Sequence, residues 1–284
     1  MVMKKVMFFV RKLIFVLAAA SAVLTSGCTK KTKEYVFLGQ LYYTWGHATQ
    51  EKMKGRVKEI KQTHFFAEEE NGKIVKGKVI TIEERPSLAG MGRDMAEEYN
   101  ESGTVLRSTF FDENGKVLQD VKANAEGKNL LGAEYYINDT LRAITKFKYD
   151  GNNLLETIAY NPINDTVFMS IKYDYDQNGY TIKNQSFNYK GEPQGYTIRK
   201  RNESGQLVQN QSYSNDGKLN SQVDYTYNDK GERITQHQQN FTTGVIIDYT
   251  FTYNYDKMGN YTAIIFHKDG KPFIYRAREL KYYD

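Results

Sequence analysis

The sequence predicts an all-β chain: a repetitive antiparallel β-hairpin meander forming a curved or spiralling open sheet. Three observations carry this. Gly with Asn or Asp recurs at short, even spacing; the segments between alternate apolar and polar residues; and part of the chain repeats itself. Residues 137–153, INDTLRAITKFKYDGNN, align without gaps to 163–179, INDTVFMSIKYDYDQNG, at an offset of 26. Gly205 closes RNESG and Gly231 closes YNDKG at the same offset, and Gly259 closes YDKMG after 28 more. A second turn series lies between them, in KGE (190–192), NDG (215–217), TTG (242–244) and KDG (268–270). Upstream, Gly103, Gly115 and Gly127 are 12 apart. Gly, Asn and Asp tolerate the positive φ of tight hairpin turns, so turns at this spacing leave strands of about eight residues.

Residues 1–27 precede this array as a signal peptide. Lys4, Lys5, Arg11 and Lys12 form its basic head, and an apolar run from Leu13 to Leu24 follows, too short to span a bilayer. LTSGC, ending at Cys28, resembles the lipobox of bacterial lipoproteins, in which that cysteine becomes the lipidated first residue of the mature chain. Cys28 is the only cysteine, so an intramolecular disulfide is excluded. Residues 28–34 read as the lipidated Cys and a tether. Lys30, Lys31 and Lys33 stand where surface-exported lipoproteins carry acids, which points to a lipid anchor facing the periplasm. The chain has 39 basic and 34 acidic residues, and 1–27 holds four of the basic ones and no acid. The remainder is nearly neutral, which removes the basic field that nucleic-acid binding needs.

Residues 35–94 form a less regular N-terminal β section, with a hairpin at EENGK, a loop at RPSLAGMGRD and one short helix at 47–54. Residues 95–284 are the repeat array. From Val167 the alternate residues are Val167, Met169, Ile171, Tyr173 and Tyr175, with Ser170, Lys172 and Asp174 between them. From Val245 they are Val245, Ile247, Tyr249, Phe251, Tyr253 and Tyr255, interleaved with Asp248, Thr250, Thr252 and Asn254. This is the period of a strand with one buried face. The return strands TIKNQSFNY, LVQNQSY and ITQHQQNF are polar, so the expected core is thin and stability comes from neighbour-on-neighbour stacking. In the copy at 189–205, Arg199 and Arg201 replace the tyrosines, and a bulge or register change is expected.

YDYDQNG, YTYNDKG, YNYDKMG and FKYDGNN resemble the YD repeats of RHS-type proteins and, more loosely, MORN-type β-hairpin repeats. The resemblance implies a curved or spiralling antiparallel sheet and carries no activity. The last hairpins resemble those of small exported lipoproteins of Gram-negative bacteria, most without an assigned role.

Asp174, Asp176, Asn178 and Gly179 fit the opening of a calcium loop, but the twelfth position is Gln185, where a bidentate acid is required. In later copies the ligand positions become Lys230 or Met258, so no metal is expected and Asp176 is read as a turn residue. His47, His64, His237 and His267 are scattered, and no nucleophile or phosphate-loop motif is present, so neither a catalytic residue nor a cofactor is assigned. The 23 tyrosines suit a half-buried sheet. Tyr173, Tyr175, Tyr225, Tyr227, Tyr253 and Tyr255 are the candidate ligand contacts, with Gln209, Gln211, Gln236 and Gln238 as amides for sugar hydroxyls. Thr140 and Thr166, in NDTL and NDTV, resemble O-glycosylation acceptors at the same turn of successive repeats. The expected function is a non-catalytic envelope scaffold or binding module for polysaccharide or an envelope protein. The competing classes are a glycan-active hydrolase using turn carboxylates and a plain spacer.

Overall fold

The computed structural model describes residues 53–84, 94–101, 103–126, 129–151 and 153–284. The expected signal peptide, Cys28 with its tether, most of 47–54 and all but the last residue of the RPSLAGMGRD loop lie outside them. Seventeen strands follow in chain order: β1 (Val57–Glu70), β2 (Lys73–Val79), β3 (Asp94–Tyr99), β4 (Val105–Phe111), β5 (Val117–Glu126), β6 (Asn129–Ile137), β7 (Thr140–Asp150) and β8 (Asn153–Tyr160). The repeat region continues with β9 (Val167–Tyr175), β10 (Thr181–Asn188), β11 (Pro193–Arg201), β12 (Leu207–Ser214), β13 (Leu219–Tyr227), β14 (Arg233–Asn240), β15 (Ile246–Tyr255), β16 (Tyr261–Lys268) and β17 (Lys271–Tyr282). Two-residue turns occur where both residues accept positive φ, as at Asn138–Asp139 (47° and 57°) and Asp269–Gly270 (52° and 74°).

The sheet is closed, which corrects the expected open or spiralling meander. β1 pairs with β17 from Val57↔Tyr282 to Phe66↔Ile274, and on its other edge with β3 from Glu59↔Glu98 to Gln62↔Met95. From Phe65 onward that edge passes to β2, so sixteen strands form the ring and β2 extends one side of it. Periodicity in the sequence assigns faces, but it does not say whether first and last strands meet. Curvature is supplied by an extra residue at hairpin after hairpin, for example between Lys148 and Tyr149, Lys200 and Arg201, Thr226 and Tyr227, and Asn254 and Tyr255. Each such bulge bends and twists its strand. The one at Arg201 is therefore part of the rule, and no face change accompanies it. Arg199 and Arg201 keep the phase of Tyr173 and Tyr175, and Tyr196 and Ile198 occupy the opposite face.

The buried face of a ring must be its inner one, since nothing covers a convex wall. Inward chains form two apolar clusters. One gathers Ile60, Tyr99, Phe110, Val121 and Tyr135 from β1 and β3–β6; the other gathers Tyr249, Phe251, Phe266 and Ile274 from β15–β17. Ile60, Val121 and Ile171 are each 1% exposed, and such burial stabilises by about 1.5–3 kcal/mol per side chain. The inward residues of β10–β14 are different: Asn184, Ser186, Thr197, Asn210, Ser212, Gln236 and Gln238, all half-buried. A sixteen-strand ring at about 4.8 Å per strand and about 40° of tilt is roughly 30 Å across. It is packed against one wall and wet against the other. The outer face is charged, with Lys122, Lys146, Lys172, Lys200, Asp174 and Asp248 exposed. Outer aromatic rings lie under lysine ammoniums, as Tyr136 does below Lys122 at 4.5 Å and Tyr160 below Lys146 at 4.5 Å.

Closure has a weak point where β1 changes partners from β3 to β2. There the backbone N–H of His64 has no strand opposite, and Asp94 Oδ1 accepts it at 2.8 Å. The backbone carbonyl of His64 accepts from Ile80 N–H at 3.0 Å. The same Asp94 oxygen lies 2.9 Å from His64 Nδ1, while His64 Nε2 accepts from Arg276 Nε at 2.9 Å. This network assigns the neutral His64 tautomer with the proton on Nδ1. Asp94→Ala strands a buried N–H and is expected to lower unfolding free energy by about 2–3 kcal/mol in urea titration. A loss below about 0.5 kcal/mol would show that this cap does not hold the seam.

Candidate binding site: the β10–β14 wall and its rim

The hairpins share one turn chemistry, used at both rims and, at the rim where the N-terminal end of β1 lies, by the turns of Asp176, Asn228 and Asp256. Asp176 Oδ1 accepts the N–H groups of Asn178 and Tyr180 at 2.9 Å each, and Gly179 sits at φ 77°. Asp112, Asn188, Asn228 and Asp256 do the same for the second and fourth residues after them. The side-chain oxygen mimics a backbone carbonyl and fixes the loop. This is the work of the acid that suggested calcium. Asp174 is exposed on the outer face. Among the described residues no group of three or more His, Cys, Asp or Glu side chains gathers as a metal site.

The Tyr-x-Tyr signature also has a structural use. One tyrosine of each signature, the second in the 173–175 and 225–227 copies and the first in the 253–255 copy, points inward and donates its hydroxyl to a main-chain carbonyl of the preceding return strand, close to a bulge. Tyr175 reaches Leu154 O at 2.9 Å, Tyr227 reaches Leu207 O at 2.7 Å, and Tyr253 reaches Arg233 O at 2.7 Å. Tyr173 accepts from Thr157 Oγ1 at 3.2 Å, and its burial pushes the phenol up to about 12. Tyr225 has the Arg233 guanidinium over its ring, and Tyr255 donates to Glu232 Oε1. All six candidate tyrosines therefore face the lumen, with four of their hydroxyls bonded to the wall itself and a fifth to Glu232 on the rim.

In β11 the pattern is broken. Arg201 takes the place of Tyr175 and Tyr227 and donates from Nη1 to Gly205 O at 2.8 Å, in its own hairpin turn. Arg199 donates to Asn184 Oδ1 at 3.2 Å. Among the described residues none of Arg199, Arg201 and Arg233 is ion-paired with a carboxylate. Burial, and then Arg199, lower the Arg201 pKa from its ordinary value. The inward acids Asp94 and Glu97 lie on the far wall, Glu97 accepting from Tyr99 at 2.6 Å. Beside Arg201 the turns after β9 and β11 enclose a pocket of about 480 Å³ lined by Asp176, Asn178, Tyr180, Ile182, Arg201, Asn202, Glu203 and Gly205. Tyr180 is 39% exposed, and the Arg201 guanidinium lies 4.9 Å from its ring centroid. Gly205, at φ 77°, leaves room for the Tyr180 hydroxyl, which a Cβ there would strike.

Sequence reasoning singles out the arginines as an irregularity and overlooks Tyr180. A signal exists: the residue after the turn glycine is Lys116, Glu192, Gln206, Glu232 or Asn260 elsewhere, and an aromatic only here. Of the glutamines, Gln209 and Gln211 face outward, where they bond Asp224 and Gln222, and Gln236 and Gln238 face the lumen. Thr140 and Thr166 are both exposed but sit in unlike turns: Thr140 follows the two-residue turn at Asn138–Asp139, and Thr166 closes a longer loop from Asn161.

No protein-family model matches the chain, and no curated protein matches it. Among solved structures, a porin-like protein from Bacteroides uniformis is 8% identical, with 81% of this chain and 99% of that one covered and a TM-score of 0.48. A porin-like protein from Bacteroides vulgatus is 13% identical over 80% of this chain and 98% of that one, at a TM-score of 0.33. The TcdB2-TccC3 structure is 10% identical over 72% of this chain and 14% of that one, at 0.32. Each is a distant likeness in β architecture.

Two outcomes follow for the tyrosines. Tyr227→Phe is expected to cost about 1 kcal/mol in thermal or urea unfolding, since Leu207 O loses its donor. An unfolded tyrosine ionises from about pH 10, whereas Tyr173 in the fold ionises only near 12. A raised folded value means stability is intact below the unfolded one and is lost as pH climbs through this window. Tyr173→Phe should therefore flatten the alkaline fall in urea midpoint, by an amount worth about 2 kcal/mol at its upper end. An identical fall in both proteins would refute the assignment.

Proposed function

We propose that the protein is a non-catalytic binding module of the bacterial cell envelope that takes a saccharide at the mouth of its barrel. The observation that carries this is the rim pocket, where the ring of Tyr180 and the aliphatic Ile182 lie among Asn178, Asn202, Asp176, Glu203 and Arg201. Saccharides present C–H faces that pack on aromatic rings, and hydroxyls that pair with planar amides, carboxylates and guanidinium groups. A pocket of about 480 Å³ is in the range that suits a small ligand. The tyrosine pairs of the repeats are engaged in the wall, so the aromatic contact passes to Tyr180. The two inward acids are also bonded within the wall, which favours binding over hydrolysis.

The envelope assignment rests on residues 1–28, and the charged outer wall is consistent with it. Transmembrane strands present an apolar band outward, whereas Lys122, Lys146, Lys172 and Asp248 are exposed here. Attachment would then fall to a lipid on Cys28, with the barrel standing in water on the periplasmic side.

Tyr180→Ala should weaken saccharide binding about tenfold on an array of envelope polysaccharide fragments, with the melting temperature unchanged, because Tyr180 is a turn side chain. Wild-type protein that binds no saccharide on such an array would end this reading.

A further inference from the structure

We propose that the saccharide taken at the rim is acidic, and that Arg201, with Arg199 behind it, holds its carboxylate. The inference rests on the saccharide reading and extends it to the class of sugar. The first support is the repeat itself. The inward pair on the equivalent strands is Phe147 and Tyr149, Tyr173 and Tyr175, or Tyr225 and Tyr227; in β11 alone it is two arginines. That strand is the one whose last residue lines the pocket. A departure from a repeat that stabilises its neighbours, placed at a cavity, is the expected mark of a functional position.

The second support is the state of the guanidinium. Arg201 Nε is buried and has no hydrogen-bond partner, while Nη1 is bonded to Gly205 O and the plane lies against Tyr180. A buried donor left unmet is costly, and a bound anion would satisfy it. Arg199, two residues away on the same face, adds a like charge about 7 Å off along the strand, and among the described residues neither has a carboxylate within ion-pair distance. Two cations facing the lumen, with Asp176 near Arg201 but not in ion-pair contact, attract an anion and repel one another without it. The acids in the pocket choose between anions. Asp176 and the exposed Glu203 would repel a bare phosphate or sulfate, but both accept hydroxyls. A uronic acid offers hydroxyls and a carboxylate on one ring, and so matches both halves of the pocket.

The test uses the full-length protein and two probes of identical backbone, an oligogalacturonate and its fully methyl-esterified form, by titration calorimetry. The free acid should bind tighter by about tenfold or more, with affinity falling as salt rises. Arg201→Gln should abolish that preference while the melting temperature stays within a few degrees. The double variant Arg199→Tyr with Arg201→Tyr, which restores the repeat, should melt higher than wild type and lose the acid preference. Equal binding of acid and ester would overturn the inference and leave the saccharide reading standing. Binding of neither form overturns it as well, and the array with Tyr180→Ala then decides separately whether the pocket takes sugar at all. Competition by inorganic sulfate as strong as that by the oligomer would mean a bare anion site and overturn it. A lower melting temperature for the double tyrosine variant would mark the arginines as structural and overturn it too.

Discussion

Everything in this barrel depends on β1 being paired along both edges. A meander of hairpins can bury one face, but without closure it has no inside, and its terminal strands present rows of unmet N–H and C=O groups. β1 supplies the missing partner for β17 and, over its two halves, for β3 and β2. The cost is a fork where neither strand reaches the N–H of His64, and the carboxylate of Asp94 stands in for the absent carbonyl. Only because the ring is closed do the two faces of every strand acquire separate meanings, a lumen and a water-facing exterior.

Curvature and polar satisfaction are solved together at the rim. Each bulge bends the wall, and beside three of them a tyrosine hydroxyl from the next strand meets a main-chain carbonyl. The same ring fills space between neighbouring strands. An aromatic residue with a terminal hydroxyl does both tasks, whereas Phe would do one and Ser the other. This explains why tyrosine is so abundant without assigning it to a ligand. The strand in which arginine replaces it loses the carbonyl bond to its neighbour and bonds its own turn.

The local features are legible in the sequence because they follow from local chemistry. Period-two patterning assigns Ile171, Tyr173 and Tyr249 to the buried side, and Asn or Asp before Gly marks the turns. Closure is not legible, since β1 shares no motif with the repeat and pairs with residues more than 200 positions away. The arginines of β11 are visible, but periodicity alone reads them as a slip in register. Bulges prove to be regular features of the array, and the departure lies in the side chains. Tyr180 escapes notice because a turn position says nothing about which residues the next turn brings beside it. The pocket arises from two hairpins that are separate in sequence and adjacent in the ring.

A ring has no end at which to grow. An open array lengthens by one hairpin and keeps its curvature, but here an added repeat must be inserted in the circumference, and antiparallel closure admits strands only in pairs. One unit of 26 residues is such a pair, lengthening the circumference by about 10 Å before tilt and carrying the apolar wall further from the polar one. The packed half of the lumen, lined by the separate clusters of β1 with β3–β6 and of β15–β17, therefore limits how many repeats the chain can hold. Size is set by what the walls can still touch across the gap, and variation is left to the loops and to the side chains of the wet wall.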